Sequence, residues 1–495
     1  MKDFVNIIPK PRWWSSLWSC LLVVLTAFPV IAYGHSAERG LVMLLPTGYY
    51  VVGGALAVIC SFMLLSLVST SWLRRFSDQQ LPLFTLPQIS TTPVSMVCFL
   101  VLTLLLIAGF AGSTDPLANP LPLVIWTLWW VGFTVLQFLI GNLWNHCNPW
   151  SGPAHLLRRF ARFRSVAELP AKLGYLIAIL QFSAVAWFEL VDLAPEDPGR
   201  LAMATCVFWL FNFCGVLLFG ERDWFARAEP FAIFFRLVGA CSPVVRSPLN
   251  QHDGTKKKVQ YSLTWPGQGL IALPPLPLSG ILFVLLTLSV VSFDAYAKTF
   301  AWLGIIGINP LEFPGRSVVQ GSNTVGLILT FAILASLFLL AVYLGWKLSQ
   351  RCGWNVADQN WLGASGRLVY SIIPISIAFH MTHYLTVLLV NGQYALIALS
   401  DPLGSGRGLA ASGFYPTTSF LNDLHSVSVI WVFQTVVVVA GHIIGITVAH
   451  LLALEMTQAT SANLKAASVS QLFLGLLMVG YTVFGLWLLS TASVG

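Results

Sequence analysis

Charged residues are scarce in this chain of 495 residues. Asp, Glu, Lys and Arg together make up 9% of it, and hydrophobic residues make up 57%. A soluble globular domain has about 25% charged residues. Because so few charges cannot keep the surface of a folded chain wetted, the composition argues against a soluble protein. It predicts an integral membrane protein whose surroundings are the lipid bilayer.

Motifs of several enzyme classes are also absent. The sequence has no Walker A loop, no Gly-x-Ser-x-Gly, no His-Glu-x-x-His and no Cys-x-x-Cys. These absences argue against ATP-driven transport by this chain alone, a serine hydrolase and a classical zinc protease. The net charge of +7 does not predict a nucleic-acid partner, because the cations lie in short loops between apolar runs.

What the sequence does contain is a series of long apolar runs. About 20 apolar residues in helical form cross a hydrocarbon core of about 30 Å. After the first run we predict ten spans, near residues 46–70, 94–113, 122–143, 170–192, 200–220, 275–297, 323–347, 368–392, 427–453 and 467–491. The predicted fold class is therefore all-α, a polytopic transmembrane helix bundle that forms a single membrane domain over residues 35–495.

The first 34 residues resemble a signal peptide, with an uncleaved first helix as the alternative. They contain a basic start, an apolar stretch, Pro29 and the small residues Ala32 and Gly34, which are typical of a cleavage site. Arg and Lys concentrate in alternate loops, which predicts that these loops are cytoplasmic. We therefore predict a multi-pass protein of a bacterial inner membrane whose mature N-terminus and C-terminus are both extracytoplasmic.

Histidines in the last predicted spans are the main candidates for chemistry, because ionisable groups inside a membrane are costly. His380 and His383 are three residues apart and can share one helix face, and His442 lies at a similar depth on the next span. Neutral imidazole is the commonest metal ligand. The pattern predicts a divalent metal ion, zinc or copper, bound by these three residues. Hydrogen bonding between helices and a proton or substrate relay are the alternatives.

Further candidate residues lie outside the membrane centre. If cleavage follows Gly34, His35 becomes the mature N-terminus and could add a metal ligand. Asp401 and Asp423, in the loop after the span with His380, could complete the metal shell or act as a general base. Capping and turn formation are equally consistent with both carboxylates. Asp294 and Glu312 are weaker candidates of the same kind.

Several of these segments carry a resemblance to a known family. The sequence resembles bacterial multi-pass membrane proteins known as fenitrothion hydrolases, in residues 34–40, 45–50, 141–150, 379–402, 417–423 and 441–450. The resemblance implies hydrolysis of an organophosphorothioate ester. The histidines that stand in these stretches are His35, His380, His383 and His442.

Together these observations predict a membrane-embedded, metal-dependent hydrolase of a lipophilic, organophosphate-type ester. The bound metal would activate water and polarise the ester. One alternative is a transporter or permease for a metal or a small organic solute, since polar groups at mid-depth suit that function equally well. A second alternative is a redox or assembly protein that binds copper or haem. The expected partners are the bilayer, a lipophilic small molecule and a possible second membrane protein.

Overall fold

The computed structural model describes residues 45–161, 165–249, 258–312, 315–351, 360–402, 408–457 and 464–491. The predicted signal segment and His35 lie outside these residues. Ten helices overlap the ten predicted spans: α1 Thr47–Leu67, α2 Thr91–Ala111, α3 Pro120–Ile140, α4 Leu176–Leu190, α5 Pro198–Phe219, α6 Leu278–Ala297, α7 Arg316–Arg351, α8 Trp361–His383, α9 Leu424–Met456 and α10 Leu472–Ser490.

All but one of these helices are long and apolar enough to cross a membrane. The exception is α4, which has 15 residues. The described part of the chain thus contains nine helices that meet the length and composition of a membrane span. The chain is a multi-pass helix bundle, as the sequence predicts.

Helices α6 and α8 form the centre of the bundle. In each, 83% of the most apolar stretch is buried inside the protein, whereas the figure is 22% for α2 and 17% for α1. The outer helices expose Leu, Val and Ile side chains such as Leu104, Val207 and Ile328. Because apolar exposure on this scale suits hydrocarbon and not water, the outer helices are the lipid-facing layer.

Close backbone contact joins α8 to α9. A Cβ atom added at Gly441 would lie 2.4 Å from the Cβ atom of Ala378 and 2.9 Å from the carbonyl oxygen of Pro374. Gly445 faces the carbonyl oxygen of Ser371 in the same way, at 2.7 Å. Small residues let helices approach closely in membranes. The two glycines therefore let α8 and α9 approach closely.

Two of the ten helices are irregular. Helix α3 is a π-helix over Leu123–Phe133, and α8 contains a 3₁₀ turn at Val369–Ser371. The predicted span 368–392 has wrong bounds. Helix α8 ends at His383, and a separate helix, Leu385–Ser400, follows after Tyr384, whose φ of −93° and ψ of 7° break the regular backbone.

Short elements connect the spans. Further helices are Thr70–Ser77, Trp144–Cys147, Ser151–Ala161, Glu221–Arg227, Pro230–Ala240, Gln268–Ile271, Phe300–Ile305 and Leu464–Ser470, and 3₁₀ turns are Ala171–Leu173, Pro310–Glu312, Leu409–Ser412 and Ser419–Asn422. Three strands, β1 Leu81–Pro87, β2 Val244–Leu249 and β3 Lys258–Leu263, form an antiparallel sheet in the order β1-β3-β2. The sheet was not predicted. It lies at the end of the bundle whose loops contain Arg74, Arg75, Arg158, Arg159 and Arg227. We call this end the basic end.

Two segments at the basic end share a local structure. Gly141 follows α3 with a φ of 93°, and Gly220 follows α5 with a φ of 85°. In each case a short helix comes next and buries a tryptophan, Trp144 or Trp224. A positive φ favours glycine because a Cβ atom is strained there. Both positions therefore need glycine to turn the chain from a span into its short helix.

Candidate functional site

Asp294 is the centre of a buried group of charged side chains. Its carboxylate lies near the C-terminal end of α6, where Oδ1 is 2.8 Å from the Nζ atom of Lys298 and Oδ2 is 2.8 Å from the Nε2 atom of His383. Asp294 and His383 expose only 5% and 7% of their side chains, and Lys298 exposes 48%. One carboxylate therefore holds an ammonium group and an imidazole and links α6 to α8.

The imidazole of His383 lies among aromatic rings. It stacks on Phe379 with ring centroids 6.0 Å apart, and it meets the ring of Tyr384 at 4.6 Å. The hydroxyl of Tyr384 donates a long hydrogen bond of 3.4 Å to the Oε1 atom of Glu189, on α4. A second carboxyl group thus approaches the same site from another helix, with Tyr384 between them.

Arginines flank this group at the same end of the bundle. Arg316, at the start of α7, donates to the carbonyl oxygens of Glu189 and Asp192, each at 3.1 Å. Arg200 pairs with the carboxylate of Asp192 at 2.7 Å. Helices α4, α5 and α7 are therefore tied together around the site by charged hydrogen bonds, which fix the position of Glu189.

His380 has a different partner. Its Nε2 atom lies 3.0 Å from the carbonyl oxygen of Trp130, and its ring meets the Trp130 ring edge-on at 4.8 Å. Trp130 belongs to the π-helical part of α3, where the hydroxyl of Thr134 also donates to the same carbonyl at 2.6 Å. A π-turn disturbs the regular backbone ladder, and such turns occur often at functional sites.

Beside Trp130 lies a small cavity. It is lined mainly by aromatic and aliphatic side chains, with Glu189 as its charged member, and it has room for about one water molecule. Phe182, Phe231 and Trp126 form part of its wall. The cavity between α3 and α4 is therefore too small for an ester.

His442 and His450 lie on α9, each with its own partner. The Nδ1 atom of His442 bonds the carbonyl oxygen of Val438 at 2.8 Å, within the same helix. Its Nε2 atom is buried without a hydrogen-bond partner in the described part of the chain. The Nδ1 atom of His450 lies 3.2 Å from the amide nitrogen of Gln471.

The three imidazoles predicted to share a metal ion thus have three different partners. Over the described residues, no three His, Cys, Asp or Glu side chains are close enough to hold a metal ion together. The Nε2 atoms of His380 and His383 are engaged by a carbonyl oxygen and a carboxylate, on α3 and α6 respectively. His380, His383 and His442 do not fit a common zinc or copper site in this arrangement.

The predicted acidic residues of the loop lie elsewhere. Asp423 is the N-cap of α9 and accepts from the backbone amide of Ser426 at 2.9 Å and from its hydroxyl at 2.8 Å. These two donors lower the pKa of the exposed Asp423 carboxyl. Asp401 follows the helix Leu385–Ser400 as its C-cap. Glu312 ends an exposed 3₁₀ turn. Both aspartates thus lie at helix ends, the position that the capping alternative describes.

Sequence reasoning missed Glu189. It lies within the apolar run 170–192, and an acidic residue inside such a run is itself a signal of function. From the sequence, Asp294 is a weaker candidate because it lies near the end of its span, where a carboxylate can be solvated by water. Its burial depends on the packing of α6 against α8, which a single sequence does not reveal.

Comparison with known proteins adds no relative. No family model, no curated protein and no solved structure matches this chain. The resemblance to fenitrothion hydrolases stays a prediction, and the function has to be argued from the geometry of the site.

Proposed function

We propose that this chain is a multi-pass permease of a bacterial inner membrane, in which the Asp294–His383 pair takes up and releases a proton during transport. The observation that carries the proposal is the burial of Asp294 between Lys298 and His383 in the helix bundle. Ionisable groups inside membranes are rare, pair with one another and mark ion pathways and proton relays.

The balance of charges at the site supports His383 as the group that gains and loses the proton. With a neutral imidazole, the carboxylate of Asp294 and the ammonium of Lys298 balance each other. Protonation of His383 adds one positive charge to a buried site. Net charge is expensive in apolar surroundings, so the protonated form calls for a compensating event such as a change of packing.

Ionisable and aromatic groups surround His383. The ring of Tyr384, directly after α8, meets the rings of His383 and His380. Asp294 of α6 pairs with His383 and with Lys298, and Glu189 of α4 accepts from Tyr384, with Arg316 bonded to the Glu189 carbonyl. Tyr384 contacts His383 through its ring and Glu189 through its hydroxyl, so it connects the two ionisable groups.

The transported solute belongs to one of the classes expected from the sequence, a metal ion or a small organic solute. Hydrolysis of a lipophilic ester is supported less well. It requires a site for the ester next to the reactive groups, and the space beside Glu189 admits about one water. Ester hydrolysis stays a prediction, and hydrolysis of a nitrophenyl phosphotriester by the purified protein tests it.

Orientation is part of the proposal. We place the basic end of the bundle in the cytoplasm and both mature termini outside, because Lys and Arg favour cytoplasmic loops. The Asp294 site then lies in the outer half of the membrane. Alkaline phosphatase fused after Gly495 reports the orientation, since it is active only outside the cytoplasm.

The proposal is tested with purified full-length protein in liposomes loaded with a pH-sensitive dye. A panel of Zn²⁺, Mn²⁺, a short carboxylic acid, an amine and a neutral amino acid is added outside. We expect at least one solute to change the internal pH with wild-type protein, and the change to be lost in His383→Gln and Asp294→Asn. Lys172→Gln, which removes an exposed charge at the basic end, is the matched control and should behave as wild type. Proton movement that persists at the wild-type rate in both site variants would refute the role of the pair.

A further inference from the structure

Three buried nitrogen atoms without a hydrogen-bond partner belong to side chains that contact, or form part of, the loop of residues 142–146 at the basic end. They are Nε2 of Gln137, Nδ1 of His146 and Nε of Arg246, and they lack a partner in the described part of the chain. The side chain of Gln137 is fully buried. Buried polar groups almost always have a partner, so each exception needs an explanation.

The loop of residues 142–146 is the point that the three side chains share. Gln137 is in the last turn of α3, and its Oε1 atom accepts from the backbone amide of Leu143 at 2.7 Å. The amide nitrogen of the same group is therefore fixed beside the loop. His146 lies in the short helix Trp144–Cys147, and its backbone amide donates to the carbonyl oxygen of Leu143 at 2.9 Å.

Arg246 reaches this loop from strand β2. Its Nη1 atom donates to the carbonyl oxygen of Asn142 at 3.4 Å, and its guanidinium lies over the ring of Tyr261, 5.4 Å from the centroid. Its Nε atom is 3.9 Å from the position that a Cβ atom would take at Gly141. The guanidinium is thus held at the turn by a carbonyl and a ring, with Nε–H left over.

The chemistry of the three groups is that of hydrogen-bond donors. The guanidinium and the amide can only donate through these nitrogens, and the imidazole donates when it carries a proton there. Within the described residues no carboxylate forms an ion pair with Arg246. Burial lowers the pKa of His146, and the charge of Arg246 lowers it further, so His146 also senses the uncompensated guanidinium. A bound anion would supply both the missing charge and the missing acceptors.

We propose that Gln137, His146 and Arg246 form a binding site for a phosphate-type oxyanion at the basic end of the bundle. Arginine suits such a ligand because its fork of N–H groups matches the oxygens of phosphate. The oxyanion is either free inorganic phosphate or the phosphate headgroup of an anionic lipid. The site does not depend on the proposed transport function, and it is separate from Asp294.

Thermal unfolding of the detergent-purified full-length protein tests the site. Inorganic phosphate serves as the probe for the free anion. Short-chain phosphatidic acid, compared with short-chain phosphatidylcholine, serves as the probe for a lipid headgroup. A ligand that binds the folded state raises the unfolding temperature as its concentration increases. A rise with phosphate assigns the free anion, and a rise with phosphatidic acid alone assigns the headgroup.

Variants locate the effect. Arg246→Lys keeps the positive charge and removes Nε–H, and Gln137→Glu keeps the shape and replaces the donor with an acceptor. We expect the apparent Kd of the effective probe to weaken at least tenfold in each. Arg75→Gln, which removes an exposed charge at the same end, should leave the Kd unchanged. If one site variant does not fold, the other decides.

Two results would overturn the proposal. In one, neither phosphate nor phosphatidic acid changes the unfolding temperature of the wild type, which would mean that water satisfies the three nitrogens. In the other, Arg75→Gln weakens binding as much as Arg246→Lys and Gln137→Glu, which would indicate attraction to the whole basic end and not to this site.

Discussion

The imidazole of His383 and the carboxylate of Asp294 lie 2.8 Å apart on two central helices that are 89 residues apart in sequence. This contact joins the two most buried helices of the bundle, α6 and α8. A polar pair at this position contributes to the packing of the two helices as well as to the proposed function. Variants must therefore be read for stability as well as for activity.

Asp294→Asn should destabilise the bundle. Removing one partner of a buried ion pair leaves the other without compensation and costs about 3 kcal/mol or more. We expect a lower unfolding temperature for Asp294→Asn in detergent, followed by tryptophan fluorescence. Lys172→Gln is the control, because its exposed ammonium lies outside the site and can be removed at little cost. Equal losses in the two variants would contradict the central position of Asp294.

His380→Ala examines the metal-dependent hydrolase. Because the Nε2 atom of His380 already bonds the carbonyl of Trp130, we expect this variant to lose about 1–3 kcal/mol of stability without losing a metal ion. Metal analysis of wild type, His380→Ala and His442→Ala measures bound zinc and copper, and a nitrophenyl phosphotriester measures hydrolysis. Stoichiometric metal in the wild type that disappears in both variants, together with loss of hydrolysis, would restore the predicted metal site.

Gly441→Ala should separate α8 from α9. The new methyl group would overlap the Cβ atom of Ala378, and overpacking of this kind costs about 1–3 kcal/mol. Gly480→Ala is a matched control on α10, since nothing lies within 4 Å of its Cβ position. We expect a clear drop in the unfolding temperature for the first variant and none for the second. A drop of the same size in both would contradict the close contact.

Glu229 should make stability depend on pH. This carboxyl caps the helix Pro230–Ala240, and burial raises its pKa to about 7 in spite of donors from Phe231, Ala232 and Trp144. The folded protein therefore holds the proton more tightly than the unfolded chain does. Its contribution to stability is complete below about pH 4.5 and is lost as the pH rises through about 7.

The comparison with Glu229→Gln isolates this effect, because glutamine does not titrate. The unfolding temperature of the wild type minus that of Glu229→Gln should fall between pH 5 and pH 8. A difference that stays constant over this interval would show that the carboxyl does not change its protonation state there.

The fold could be predicted from sequence because span length is set by the bilayer, and a run such as 94–113 carries that information locally. Site geometry could not. His380 and His383 were found because their cost in a membrane is visible in the sequence, but their partners, Trp130 and Asp294, come from other helices. The convergence of His442 was inferred from depth alone, and depth does not fix the direction in which a ring points. The pairing of β1 with β3 was missed because the two strands lie far apart in sequence.

The wide backbone turns at Leu123–Phe133 give α3 one more residue per turn than an ordinary helix holds. Each residue in these wide turns advances by a smaller angle than in an α-helix, where the advance is about 100°. Rewinding the segment as a regular helix would therefore rotate the side chains after it relative to those before it. The Trp130 carbonyl would then no longer face His380 while Gln137 faces the following loop. The rotation of this one helix about its axis therefore sets contacts in its middle and at its C-terminal end.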